Sequence, residues 1–145
     1  MAVNKSVYYK RLNKWADALV SRKYKQIGNR LRDADNGRCC LGVACDVSGL
    51  SEWTANGEYL GSLGHAPCAV QNYFGFTDGT GESVLEEVSS RLHTNWGGLT
   101  DMNDSGNYSF GKIAKIIRKF AEIKYGGSKK SLSGPNSKKT KKSKS

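Results

Sequence analysis

The chain has 145 residues, 37% of them apolar, 10% aromatic and 25% charged, with 17 glycines, four cysteines and a formal net charge of +10. That length holds one domain, and a body of about 125 residues buries roughly two thirds of its unfolded surface, enough for one modest core. The glycine content excludes many long regular elements, no apolar run approaches the roughly 18 residues that a membrane-spanning helix needs, and the adjacent pair Cys39-Cys40 does not read as a disulfide framework.

Asn4 is placed to cap a first helix over roughly Lys5 to Val20, because Tyr8, Leu12, Trp15 and Leu19 recur at helical spacing. The other face of that helix shows Lys10, Arg11 and Lys14. Ser21 to Arg38 has no decisive period and fits an irregular loop or a short hairpin strand, with Asn36-Gly37 closing a turn. From Cys39 to Val47 the apolar residues cover almost every side of a helical wheel, the pattern of an element in the middle of a core. Gly42 costs such a helix about 1 kcal/mol relative to Ala, so a neighbour packed against its backbone is expected there. Asp46 and Ser48-Gly49 are stop signals.

Residues 51–66 read as loop with at most one short strand around Tyr59-Leu60. Pro67 opens a helix whose inner face is Val70, Tyr73 and Phe74, and Gly75 ends it. After an exposed loop at 77–83, Val84, Leu85, Val88 and Leu92 predict one short helix, and Asn95 to Asn107 reads as turn chemistry. Ser109 caps a final helix with Phe110, Ile113, Ala114, Ile116, Ile117 and Phe120 inward and Lys112, Lys115, Arg118 and Lys119 outward. Beyond Tyr125 the chain has one apolar side chain, Leu132, and otherwise Gly, Ser, Lys, Asn, Thr and Pro, a composition that cannot offset its ordering entropy. The fold class expected is mainly α (small α+β): a compact bundle of short helices around a buried central cysteine-rich helix, with at most a short β-hairpin. It occupies residues 1–125, and 126–145 form a disordered lysine-rich tail.

Charge is segregated. Residues 1–38 carry a net +7, 39–111 a net −8, 112–125 a net +4 and 126–145 a net +7. Basic ends around an acidic middle favour a polyanion such as DNA or RNA, reached through Lys10, Arg11, Lys14, Lys112, Lys115, Arg118 and Lys119 on the helices. In the tail the same role falls to Lys129, Lys130, Lys138, Lys139, Lys141, Lys142 and Lys144. If each tail lysine neutralised one phosphate, the salt slope on duplex DNA would approach roughly −6. Lysines alone attract phosphate without reading bases. An inert solubilising tail and a localisation or docking peptide are the competing readings of the same residues.

Other constellations are weaker. Cys40, Cys45, His65 and Cys68 have the ligand types of a zinc site, but Cys40 and Cys45 lie five apart on a helix and do not share a face, so no metal or other cofactor is expected. For a cysteine enzyme, Cys39 or Cys40 would lie at a helix N-terminus near Arg38, with His65 or His93 as base and Asn103 or Asp104 orienting it. The competing reading, buried cysteine as a small hydrophobe, carries more weight, and the chain reads as more plausibly not an enzyme. Asp101 and Asp104 with Asn103 and Ser105 lack the ligand run and terminal Glu of a calcium loop, and turn roles suit them better.

Four blocks stand in order along the chain: Trp15-x2-Ala18-Leu19-x-Ser21-x2-Tyr24-x-Gln26; Cys39-Cys40-Leu41-Gly42-Val43-x-Cys45-Asp46; Leu99-x2-Met102-Asn103-Asp104-Ser105-Gly106; and Ser109-Phe110-x2-Ile113-Ala114. Together they resemble a family of small bacteriophage- and prophage-encoded proteins of uncharacterised function, over about residues 12–120. The resemblance implies a viral accessory protein acting inside an infected bacterium and supplies no catalytic residues. Family members carry acidic residues where this chain has Gly111 and Lys112, and they usually lack so long a lysine tail.

The expected function is therefore a bacteriophage accessory protein that binds nucleic acid or a nucleoprotein non-specifically. The alternative is a module that inhibits or redirects a host protein. Met1 to Lys10 contains no apolar segment of a secretory signal, so the expected location is the host bacterial cytoplasm or the virion, with reduced thiols and no membrane partner.

Overall fold

A computed structural model describes residues 4–126. Among them are seven helices: α1 (Lys5–Val20), α2 (Cys40–Ser48), α3 (Cys68–Phe74), α4 (Glu82–Val88), α5 (Ser90–Asn95), α6 (Leu99–Asp104) and α7 (Phe110–Tyr125). Among the described residues the extended segments pair only through isolated bridges, Gln26 and Arg32 with Arg38, and Trp53 and Ser62 with Tyr59. The fold is mainly helical, as the periodicity requires.

The two amphipathic helices α1 and α7 form the main packed pair. Asn4 caps α1 by accepting from the Val7 N–H at 3.1 Å, and Ser109 caps α7 by accepting from the Lys112 N–H at 3.3 Å. The helices run antiparallel, with Tyr9 donating to Glu122 at 3.1 Å and Arg118 bonded to Asp17 and Asn13. Leu12, Trp15, Ala16 and Leu19 from α1 and Ile113, Ile117 and Phe120 from α7 are buried in the same core.

Against α1 lies α2, buried from Cys40 to Cys45. Gly42 is its point of closest approach: a Cβ there would stand 2.0 Å from the Leu31 carbonyl oxygen. That carbonyl also accepts from the Cys39 N–H at 3.2 Å, so the loop before α2 is locked over the start of the helix. Trp15 donates its indole N–H to the Cys40 carbonyl at 3.0 Å and packs on Phe74 and Phe76. Gly49 ends α2 in the left-handed conformation.

Two expectations change. The single helix after residue 83 is two, because Ser89 is extended and its hydroxyl caps α5 by accepting from the Leu92 N–H at 3.4 Å. The stretch from Asn95 to Asn107 contains α6, with Leu99 and Met102 buried one turn apart. At six residues it is too short to register as a period, and its flanking glycines read as turns. The expected tail lies outside the described residues apart from Gly126.

Candidate nucleic-acid interface

The outer faces of α1 and α7 carry the basic side chains. Lys10 and Lys14, one turn apart on α1, are exposed, and so are Lys112, Lys115 and Lys119 on α7. Lys10, Lys14, Lys115 and Lys119 form no ion pair among the described residues. Lys10 with Lys14, and Lys115 with Lys119, are like charges at four-residue spacing, each destabilising its helix by about 0.2–0.5 kcal/mol. Lys112 donates to the Asn107 carbonyl at 3.3 Å and sits over the Tyr108 ring, 5.7 Å from its centroid.

The two arginines grouped with these lysines have partners within the domain. Arg11 donates to the Tyr73 carbonyl at 2.9 Å and lies over the Tyr73 ring at 3.9 Å, tying α1 to α3. Arg118 pairs with Asp17 at 2.7 Å and reaches Asn13 at 3.3 Å, tying α7 to α1. Both partners are distant in sequence, which is why the outward positions looked equivalent to lysine. The seven tail lysines lie outside the described residues.

The cysteines occupy a different setting. Cys39 is the N-cap residue of α2 and Cys40 its first residue, so the expected helix N-terminus is there. Burial overrides its effect: it pushes the Cys39 thiol up to about 11 and raises the Cys40 and Cys45 thiols as well, so they stay protonated at neutral pH. Arg38, 7% exposed, turns away to Asp46 at 3.1 Å and to the Asn36 carbonyl at 2.7 Å, between the rings of Tyr24 and Trp53. His65 is exposed on the loop before α3; the side chain of His93 lies outside what is described.

Nor do the amides and carboxylates activate the thiols: the Asp104 charge adds to the rise at Cys39 and Cys40. Asn103, 5% exposed, accepts from the Cys40 backbone N–H at 3.1 Å and from Gln26 Nε2 at 3.0 Å, and donates to the Ile27 carbonyl at 2.6 Å. It supplies the cap that Cys39 cannot give α2. Gln26 donates to the Tyr108 carbonyl at 2.9 Å and accepts from the Phe110 N–H at 3.1 Å, joining the loop before α2 to the start of α7. Asp104 accepts from the Asn29 N–H at 2.9 Å, and Asp101 from the Gly97 N–H at 2.9 Å. Among the described residues no group of three or more His, Cys, Asp or Glu is placed to hold a metal ion. Cys40 and Cys45 are buried in α2, whereas Cys68 and His65 are exposed elsewhere. Gln26 carried no sequence signal as a structural hub, because its partners lie about 80 residues away.

Fold and surface together define a small helical domain in which buried polar side chains set the loops and basic side chains line an outer face. The chain belongs to the family described as a domain of unknown function (DUF8296), whose model matches residues 9–121. No curated protein and no solved structure matches it. No helix among the described residues is long and apolar enough to cross a membrane.

Proposed function

We propose that this chain is a bacteriophage accessory protein that binds nucleic acid, or a nucleoprotein, without sequence preference through the lysines of α1 and α7 and the lysine-rich tail. The observation that carries the reading is the set of exposed lysines that form no ion pair among the described residues, Lys10 and Lys14 on α1 and Lys115 and Lys119 on α7, spaced so that they repel one another. The domain gains nothing from that arrangement, whereas a row of phosphates neutralises it and releases counterions. Lysine ammoniums give attraction without base readout, hence affinity without sequence preference.

The test is a fluorescence-anisotropy titration of a labelled oligonucleotide across a range of salt. Full-length protein is compared with a full-length form carrying glutamine at the seven tail lysines. Binding is expected to weaken steeply with salt, and tail neutralisation to flatten the slope by about 6. Undetectable or salt-insensitive binding would overturn the reading.

A second reading, a module that inhibits or redirects a host protein, draws on Leu50, Leu60 and Leu63. These are 45%, 47% and 47% exposed in one loop region, with Leu60 held at φ +51°. Pull-down from nuclease-treated host lysate separates the two, since a single nuclease-resistant partner lost in Leu60→Asp supports this one.

A further inference from the structure

Beside the N-terminal end of α7 a hollow of about 460 Å³ opens between the loop at 26–28 and the turn at 106–109. Tyr108, Lys112, Asp104, Asn103, Gly28 and Gly106 are among the residues that line it. Its floor is rigid, because the side chain of Asn103 is bonded on both its oxygen and its nitrogen and Gln26 is bonded to Tyr108 and Phe110. Tyr108 is half-buried and braced edge-to-face by Trp96 at 5.3 Å, which fixes the ring without ordering a flexible side chain on binding. The two glycines leave the walls without side chains, and the volume lies within the range of sites for small planar ligands.

Charge decides what enters. Asp104 uses Oδ1 to hold the Asn29 and Asn103 N–H groups, and its Oδ2 carries no hydrogen bond among the described residues. A carboxylate inside the hollow repels a phosphate, but accepts from the amino or imino edge of a nucleobase. Phosphate-attracting charge starts at its edge and leads away from it: Lys112, which lines the hollow, then Lys115 and Lys119 along α7, a row about 10 Å long. The Lys112 ammonium now over the Tyr108 ring belongs to an exposed four-carbon side chain that can swing to a phosphate as a base takes its place.

Resting on the nucleic-acid reading above, we infer that the polyanion is single-stranded, with one base stacked on Tyr108 in this hollow and its flanking phosphates on Lys112, Lys115 and Lys119. A duplex keeps its bases stacked and paired, so it has no free base face to offer the ring.

Anisotropy titrations of the full-length protein test this with three probes at one salt concentration: a short single strand, the same strand made entirely abasic, and its duplex. The single strand is expected to bind about tenfold more tightly than the abasic strand, the order of one stacked base. Tyr108→Phe should keep that preference, and Tyr108→Ala should remove it by lowering single-strand affinity to that of the abasic strand. Because the abasic comparison uses the unaltered protein, the test holds even if Tyr108→Ala misfolds. Salt-dependent binding of all three probes with equal affinity would overturn the inference and leave the nucleic-acid reading standing; no binding to any of them would overturn both.

Discussion

The cysteine helix α2 and the lysine-bearing faces of α1 and α7 are built on opposite terms. In α2 the neighbours are prescribed: the Leu31 carbonyl closes over Gly42, Asn103 satisfies the Cys40 N–H, and Trp15 satisfies the Cys40 carbonyl. On the outer faces Lys10, Lys14, Lys115 and Lys119 have no ion pair among the described residues and repel their neighbours. The difference separates two reasons for a residue to be present. The cysteines, which look chemical, are buried in the fold, while the lysines, which look like ordinary solvated surface, are the groups we propose that a polyanionic partner neutralises.

The sharpest way to break the comparison is at Gly42. A Leu there has no space against a backbone carbonyl that itself holds the start of α2, and overpacking of this kind costs about 3 kcal/mol or more. Gly42→Leu is expected to abolish the cooperative thermal transition, and an unaltered melting temperature would remove α2 from the centre of the fold. Asn103→Leu comes next. It strands the buried Cys40 N–H and the Ile27 carbonyl and should cost about 3 kcal/mol in denaturant titration, given about 1–3 kcal/mol for each unsatisfied buried group.

A smaller effect is expected at Asp78. Burial alone would raise its carboxyl, but hydrogen bonds from the Ser83, Thr80 and Glu82 groups at the start of α4 outweigh burial and hold it below the ordinary aspartate range. A depressed folded value means that its stabilisation is present above the unfolded aspartate value and fades as pH falls through the folded one. Wild type should therefore lose more stability than Asp78→Asn on acidification through that window, and parallel pH profiles would contradict this. The thiols sharpen the contrast without changing stability. Native protein treated with iodoacetamide should be modified quickly at exposed Cys68 and slowly at Cys39, Cys40 and Cys45, as read by peptide mass spectrometry. Rapid modification of Cys39 or Cys40 would return them to the catalytic reading.

The sequence makes the long-range order of the fold legible only where one element carries its own evidence. Both sixteen-residue amphipathic helices show it in their period and caps, and α2 shows it in apolarity on all sides together with the cost of Gly42. What stays hidden depends on partners far along the chain. Asn103 reads first as a turn residue, with catalytic orienter the weaker alternative, until Gln26, Ile27 and Cys40 are brought to it, and Arg11 and Arg118 look like further phosphate contacts until Tyr73 and Asp17 engage them. The hollow at Tyr108 has no sequence signature, because it is made by two turns that meet only in the folded chain.

The most direct measurement compares the salt dependence of nucleic-acid binding by wild type and by full-length Lys115→Ala/Lys119→Ala, with melting temperatures recorded on the same samples. The two lysines form no ion pair among the described residues, so the melting temperature should be unchanged or slightly raised, while the slope of log affinity against log salt should fall by about 2. An unchanged slope, or a lowered melting temperature accounting for any loss of binding, would contradict the assignment of these lysines to the partner.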